Sequence, residues 1–229
     1  MPVVVHVSPH PDDEALGAPA TLLLLRRAGW RVVNVVANLG RPDDHDRRHR
    51  EAVEANRRAG FELLLPDGSR MEERLASLVR ELAPTIVISP SPDDAHPTHE
   101  MVARATEAAC AAATDPPVWW QWGLWADLRG PTLYVPFDVD VLAEAQHVLA
   151  AYSGELARND YARLLDARAV AHAVLGSERV FGFGSARASD APYAELLSEL
   201  CLIDGTWHHS PPRLLAQPVM LRSARPSAP

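Results

Sequence analysis

Runs of β-branched residues, each followed by a helix-patterned segment, constrain this chain more than any other feature. Val3–Val7 is β-branched apart from one His and stops at Ser8-Pro9, the pattern of a buried strand. Glu14–Ala28, closed by Gly29, reads as a helix, and Arg31–Val36 as a second strand. The polar stretch Asn38–Asp46 contains Gly40 and Pro42 and reads as a loop. Asp46–Ala59 follows as an amphipathic helix that Gly60 terminates. Phe61–Leu65 is a strand, Met71–Leu82 a helix and Thr85–Ser89 a strand. This rhythm predicts βαβ units in an α/β fold, a Rossmann-like, mostly parallel sheet flanked by helices. Ligands bind such sheets beyond the carboxyl ends of the strands, so the active site is expected there.

The second half is less regular. Val118–Trp125 and Thr132–Pro136 read as strands; Val139–Leu156, Tyr161–Leu175 and Ala191–Leu202 read as helices. From Ser210 onward Pro, Ser and Arg dominate. The chain of 229 residues is therefore expected to form one domain over 1–209 with a tail over 210–229. Trp119, Trp120, Trp122 and Trp125 lie within seven residues. On a strand, Trp120 and Trp122 share one face, and one face is expected in the core while the other is free to stack on a sugar or base.

Composition narrows the function classes. With 22 Lys+Arg against 30 Asp+Glu the formal net charge is -8, which repels duplex nucleic acid and anionic membranes but leaves room for a local basic pocket. Two cysteines cannot build a cysteine-rich zinc module or a disulfide scaffold, and they fit reduced thiols in a cytoplasmic protein. No apolar run approaches the roughly 20 residues needed to span a bilayer. Val3–Val7 is too short for a signal peptide core and has no cationic stretch before it. GxGxxG, GxxxxGK[ST] and GxSxG motifs are all missing. A small-molecule partner is expected, and the pattern carries no signature of an oligomeric state.

Two peptides carry chemistry. Pro9-His10-Pro11-Asp12-Asp13-Glu14 follows the first strand and opens a helix. Proline and acidic residues suit a helix N-terminus, but that explains neither His10 nor two adjacent carboxylates at the end of a buried strand. A divalent cation would offset the crowded charge, and imidazole with carboxylate suits zinc or a similar first-row metal. His96-Pro97-Thr98-His99-Glu100 follows the Thr85–Ser89 strand and starts the helix running to Ala113; its two imidazoles, three residues apart, share a helix face. A parallel sheet brings both peptides to the same edge.

Together, His10-Pro11-Asp12-Asp13-Glu14 and His96-x-x-His99 resemble the PIG-L/LmbE-like zinc de-N-acetylases, which act on GlcNAc-phosphatidylinositol, mycothiol and bacillithiol precursors and aminosugar antibiotics. Asn38-Leu39-Gly40, Arg48-x-x-Glu51 ahead of Gly60, Leu149–Leu156 and Ser177–Phe181 resemble weaker family segments. The resemblance implies that His10, Asp13 and His99 hold the metal, zinc or iron in the cell. It implies that Asp12 is the general base and that His96 stabilises the oxyanion or protonates the departing amine. Arg48 matches a substrate-contacting position; Asn38 and Trp122 are the other candidates for substrate binding. Position 98 is Thr where the family often has Asp, which removes a carboxylate able to orient an imidazole. Tyr152 stands where a His is frequent.

The implied function is removal of an N-acetyl group from an aminosugar conjugate or related small metabolite by a metal-dependent amide hydrolase. Two alternatives differ in class. One is a nucleotide-sugar-dependent transferase using Asp12-Asp13 or Asp93-Asp94 to hold diphosphate through Mg²⁺ or Mn²⁺. The other is a non-catalytic sugar-binding relative, which would have no use for a spare carboxylate at Asp12.

Overall fold

In the computed structural model, residues 1–215 are described. The first half follows the expected alternation. Strand β1 (Val3–Ser8) leads to two short helices, α1 (Asp13–Leu16) and α2 (Pro19–Arg27), then to β2 (Arg31–Val36). A 3-10 turn (Pro42–Asp44) enters α3 (His45–Ala59), followed by β3 (Glu62–Leu64), α4 (Met71–Leu82), β4 (Ile86–Pro90), α5 (Pro97–Ala111) and β5 (Val118–Trp122). The single helix expected over Glu14–Ala28 is broken at Gly17-Ala18, because Pro19 starts a new helix and disfavours helical backbone before it.

The second half departs further. β6 (Leu133–Phe137) precedes α6 (Val139–Leu149) and α7 (Ser153–Arg158), which divide one expected helix at Tyr152. α8 (Tyr161–Phe181) runs beyond its expected end at Leu175. The helix expected over Ala191–Leu202 is a strand, β7 (Tyr193–Ile203), paired antiparallel with β5, β6 and β8 (Thr206–His209). Its Leu and Glu content favours helix locally, but pairing on both edges and burial on both faces override that preference. Glu195 and Glu199 are tolerated inside because each is bonded. Glu195 accepts from Thr21 and the Ala20 amide, and Glu199 from Trp120 Nε1 and Arg213. The expected tail begins as strand β9 (Arg213–Leu214) beside β6, and Leu215 is buried in the core. The rest of that stretch, 216–229, lies outside the described residues.

The sheet order is β3-β2-β1-β4-β5-β7-β6-β9, with β8 on β7; β1 to β5 are mutually parallel. Each face is covered. Val4, Ile88, Trp120, Trp122 and Leu133 pack against α2, α3, α6 and α8, while Val5, Val7, Val33 and Val87 pack against α4 and α5. Fully buried Leu22, Leu23 and Leu25 make α2 a core helix, each contributing about 1.5–3 kcal/mol of burial. Among the described residues no helix is long and apolar enough to cross a membrane.

The chain moves outward from β1 to β2 and β3, then returns across the sheet to β4 on the other side of β1. The crevice between the β1 and β4 ends is therefore the topological switch point, where α/β sheets bind ligands.

Candidate metal centre

β1 and β4 are paired in register, Val4 with Ile86 and His6 with Ile88, so the loops that leave them emerge side by side. The first loop delivers His10, Asp12 and Asp13. The second delivers Asp94, His96 and, one turn into α5, His99. One ligand atom from each of His10, Asp13 and His99 lies within 4.8 Å of the other two. Asp13 Oδ2 is 3.5 Å from His10 Nδ1, and Asp13 Oδ1 is 3.5 Å from His99 Nε2. A tetrahedral ion with bonds of roughly 2.0–2.1 Å spaces its ligands by about 3.3 Å, so the three donors fit one zinc-type cation.

The supporting contacts fix the donors. His10 donates its backbone N–H to Asp13 Oδ2 at 2.7 Å. His99 Nδ1 is 2.7 Å from Asp94 Oδ2, which puts the ring proton there and leaves Nε2 with its lone pair toward Asp13. Burial opposes charging of His99, but the Asp94 hydrogen bond and the Asp13 charge raise its pKa. Burial also raises that of Asp13, yet the His10 hydrogen bond and the His99 charge leave it below the usual value. The orienting carboxylate missing at Thr98 is thus supplied by Asp94. Its other oxygen accepts the N–H groups of Leu124 and Trp125 at 2.5 and 3.0 Å. Asp94 is 1% exposed and off the cleft lining, with both oxygens engaged, which argues against its holding a diphosphate through a cation as in the transferase alternative.

Asp12 borders the same cleft without belonging to the three-donor cluster. It precedes α1 with φ 114° and ψ -21°, a left-handed conformation that a side chain rarely adopts. Burial, then the neighbouring Asp13 charge, push its pKa well above the usual carboxylate range. Behind it Glu14, raised to about 7 by burial, accepts hydrogen bonds from Tyr152 and Asn56. Tyr152 is fully buried on Glu14 and does not line the cleft. His96 caps α5, its ring centroid 4.6 Å from His99 and 5.7 Å from Trp125, with which it stacks. Burial, then His99 and His10, lower its pKa.

The cleft has a volume of about 530 Å³ and is lined by the His/Asp cluster together with Arg41, Arg47, Arg48 and Arg158. Arg48 lines the cleft and is paired with Glu155 at 2.7 Å. Two expected substrate residues are not on this surface. Trp122 is 1% exposed, with its indole N–H donating to His6 and its ring set edge-on against His99, so it supports the cluster from below. The tryptophan that reaches the cleft is Trp125, half exposed beyond the end of β5. Asn38 is also off the lining, and its side chain accepts the Gly40 N–H at 2.7 Å to hold the loop turn. Sequence reasoning missed Asp94 as an orienting residue, and it missed Trp125, Glu155, Arg158 and Tyr161 as lining. Only Asp94 had a signal, an acid five residues before the second His, and the turn-forming pair Asp93-Asp94 masked it.

Residues 5–110 match the family model PIG-L: GlcNAc-PI de-N-acetylase. No curated protein matches the chain in sequence. Among solved structures, the conserved protein TT1542 from Thermus thermophilus aligns with TM-score 0.68 and 21% identity over 86% of this chain and 94% of its own. GalB, the 4-carboxy-2-hydroxymuconate hydratase from Pseudomonas putida, aligns with TM-score 0.68 and 18% identity over 87% and 96%. The N,N'-diacetylchitobiose deacetylase from Pyrococcus horikoshii aligns with TM-score 0.64 and 14% identity over 89% and 84%. At these identities the alignments establish a common α/β fold. The PIG-L match spans residues 5–110, the part of the chain that contains both the His10–Glu14 and the His96–His99 peptides, whose resemblance is to the same family.

Proposed function

We propose that the protein is a metal-dependent hydrolase that removes the acetyl group from an N-acetylated aminosugar conjugate or a related small metabolite. The observation that carries this reading is the gathering of His10, Asp13 and His99 around one point with Asp12 left beside it. A zinc ion, or iron in the cell, is held by those three residues in this reading. When bound it supplies Lewis acidity for the amide carbonyl and lowers the pKa of a water. Asp12, next to the cluster, accepts the proton of the attacking water and carries it toward the amine. His96 donates a hydrogen bond to the developing oxyanion in this reading, or else protonates the leaving nitrogen. Arg48 and Trp125 orient the sugar, one by hydrogen bonds and the other by stacking. A cytoplasmic location belongs to the same reading, supported by two unpaired thiols.

The deacetylase reading rests on the PIG-L match and agrees with a chitobiose deacetylase of the same fold. A hydratase acting on an unsaturated acid is the second reading, favoured by the alignment with GalB, whose TM-score of 0.68 exceeds the 0.64 of the chitobiose deacetylase. Incubation of the metal-loaded protein with N-acetylglucosamine conjugates and, separately, with an unsaturated dicarboxylic acid separates them. Acetate release that stops on chelation is the expected result. Full activity in a metal-stripped sample, or water addition to a double bond without any amide cleavage, would overturn the deacetylase reading.

A further inference from the structure

Helix α8 is apolar on two opposite faces. Leu165, Ala169, Gly176 and Val180 are buried on the inner one. At 3.6 residues per turn, Arg163, Ala167, Val170, Ala171, Val174 and Glu178 share the outer face within roughly 100° of arc, and all six are exposed. Between the two charged ends this stripe holds nothing polar. Val170 is 46% exposed, Val174 73% and the adjoining Leu175 51%, whereas a surface helix ordinarily turns charged side chains outward. Single apolar residues on a surface are normal, but a contiguous row of them marks a contact surface.

The charges at the two ends are unpaired. Among the described residues the side chain of Arg163 makes no hydrogen bond or ion pair, and that of Glu178 accepts only the Gly184 N–H, at 3.2 Å. They are opposite in sign, and each lies about 11 Å along the helix from the point between Val170 and Ala171. A two-fold axis through that point sets Arg163 of one copy opposite Glu178 of the other and repeats the pair at the far end. The same register sets Ala167 opposite Val174 and Val170 opposite Ala171. Small side chains then face larger ones, as they do where helices interdigitate at about 8–10 Å. Such self-complementarity is what a two-fold interface requires and what an unrelated partner does not.

We infer that the outer face of α8 is a dimer interface, across which a second copy of this chain lays its own α8 antiparallel. The net charge of -8 on each copy opposes association, but physiological salt screens it beyond about 8 Å, so the apolar contact and the two charge pairs decide the outcome. None of the six residues lines the cleft, and the inference stands whatever reaction the cleft performs.

Sedimentation equilibrium of the full chain, from about 1 to 100 μM protein in about 0.15 M salt, tests it. The wild type is expected to sediment as a dimer at the upper concentrations. V174E puts a charge into the stripe at a well-exposed position and is expected to be monomeric throughout. R163E and E178R each set like charges face to face, and each is expected to raise the Kd by about tenfold. The double variant R163E/E178R exchanges the two ends and is expected to return to within about threefold of the wild type. Circular dichroism melts matching the wild type show that the variants fold. A wild type that stays monomeric, whether the stripe is then left to another protein or to residues 216–229, would overturn the inference. So would a dimer unchanged in V174E, or a double variant as weak as its two parents combined.

Discussion

His99 Nδ1 sits 2.7 Å from Asp94 Oδ2, and the other oxygen of Asp94 accepts the backbone N–H groups of Leu124 and Trp125. One carboxylate thus orients an imidazole of the three-donor cluster and anchors the loop that carries Trp125 to the cleft. Asp94→Asn keeps the shape but replaces one acceptor oxygen by an amide. Zinc affinity is expected to fall by about 10- to 100-fold, the usual cost of losing such a partner. Competition with a chromogenic chelator measures it, and unchanged affinity would show that Asp94 serves the loop alone.

Gly17 ends α1, and a Cβ there would lie 2.5 Å from the Trp122 ring. That ring is 1% exposed and held between His6 and His99, so it has no space to withdraw. Gly17→Ala is expected to destabilise the fold by about 1–3 kcal/mol through overpacking. For a domain of this size that is roughly a 2–12 °C drop in Tm. Thermal unfolding monitored by tryptophan fluorescence checks it; an unchanged Tm would mean the α1 turn moves freely.

His6 is fully buried, its Nδ1 paired with Asn34 and its Nε2 accepting from Trp122, and burial lowers its pKa from 6.5 to about 4. The folded value lies below the unfolded one. The contribution to stability is therefore complete above pH 6.5 and is lost as pH falls from 6.5 toward 4. By linkage the loss is about 2 kcal/mol at about pH 5 and about 3 kcal/mol at about pH 4. Denaturant titrations of the wild type and His6→Gln across this range should show the wild type with the steeper decline. Parallel curves would place the acid sensitivity elsewhere.

Tyr152 donates to buried Glu14, which in turn lies 3.4 Å from the Asp12 N–H. Tyr152→Phe leaves Glu14 with Asn56 and a distant Ser8 as side-chain donors. A loss of about 1–3 kcal/mol in stability is expected, the cost of stranding a buried acceptor. Chemical denaturation at neutral pH reads it, and no change would mean that Glu14 is held by Asn56 alone.

The parallel half of the sheet was legible because Val3–Val7 and Arg31–Val36 are β-branched runs with sharp glycine and proline boundaries, and strands buried on both faces need nothing subtler. The two His/Asp peptides were legible for the same reason: one follows β1 directly and the other follows β4 after a short turn. β7 was not legible, since Tyr193–Ile203 is built from helix-forming Leu, Glu and Ala and becomes a strand through the partners on either side. A local signal did exist at its end. Asp204-Gly205, with φ 50° and 77°, forms a tight hairpin turn of the kind that pairs two strands. Trp122 and Trp125 exchanged roles because alternation along β5 says which face a side chain takes, whereas the covering of both faces decides what reaches the cleft. Tyr152, Glu155 and Arg158 reach the site region only because α6 ends at Leu149 and α7 begins at Ser153, a break that apolar spacing does not reveal.

In the proposed mechanism three side chains hold one cation while Asp12 stays free for proton transfer. Metal content and acetate release, measured together on the wild type, Asp12→Asn and Asp13→Ala, test it most directly. One zinc per wild-type chain is expected, with a full metal complement in Asp12→Asn and activity down by about 10²–10⁴-fold, and loss of both metal and activity in Asp13→Ala. Loss of metal from Asp12→Asn to the same extent as from Asp13→Ala, or undiminished acetate release from either variant, would contradict it.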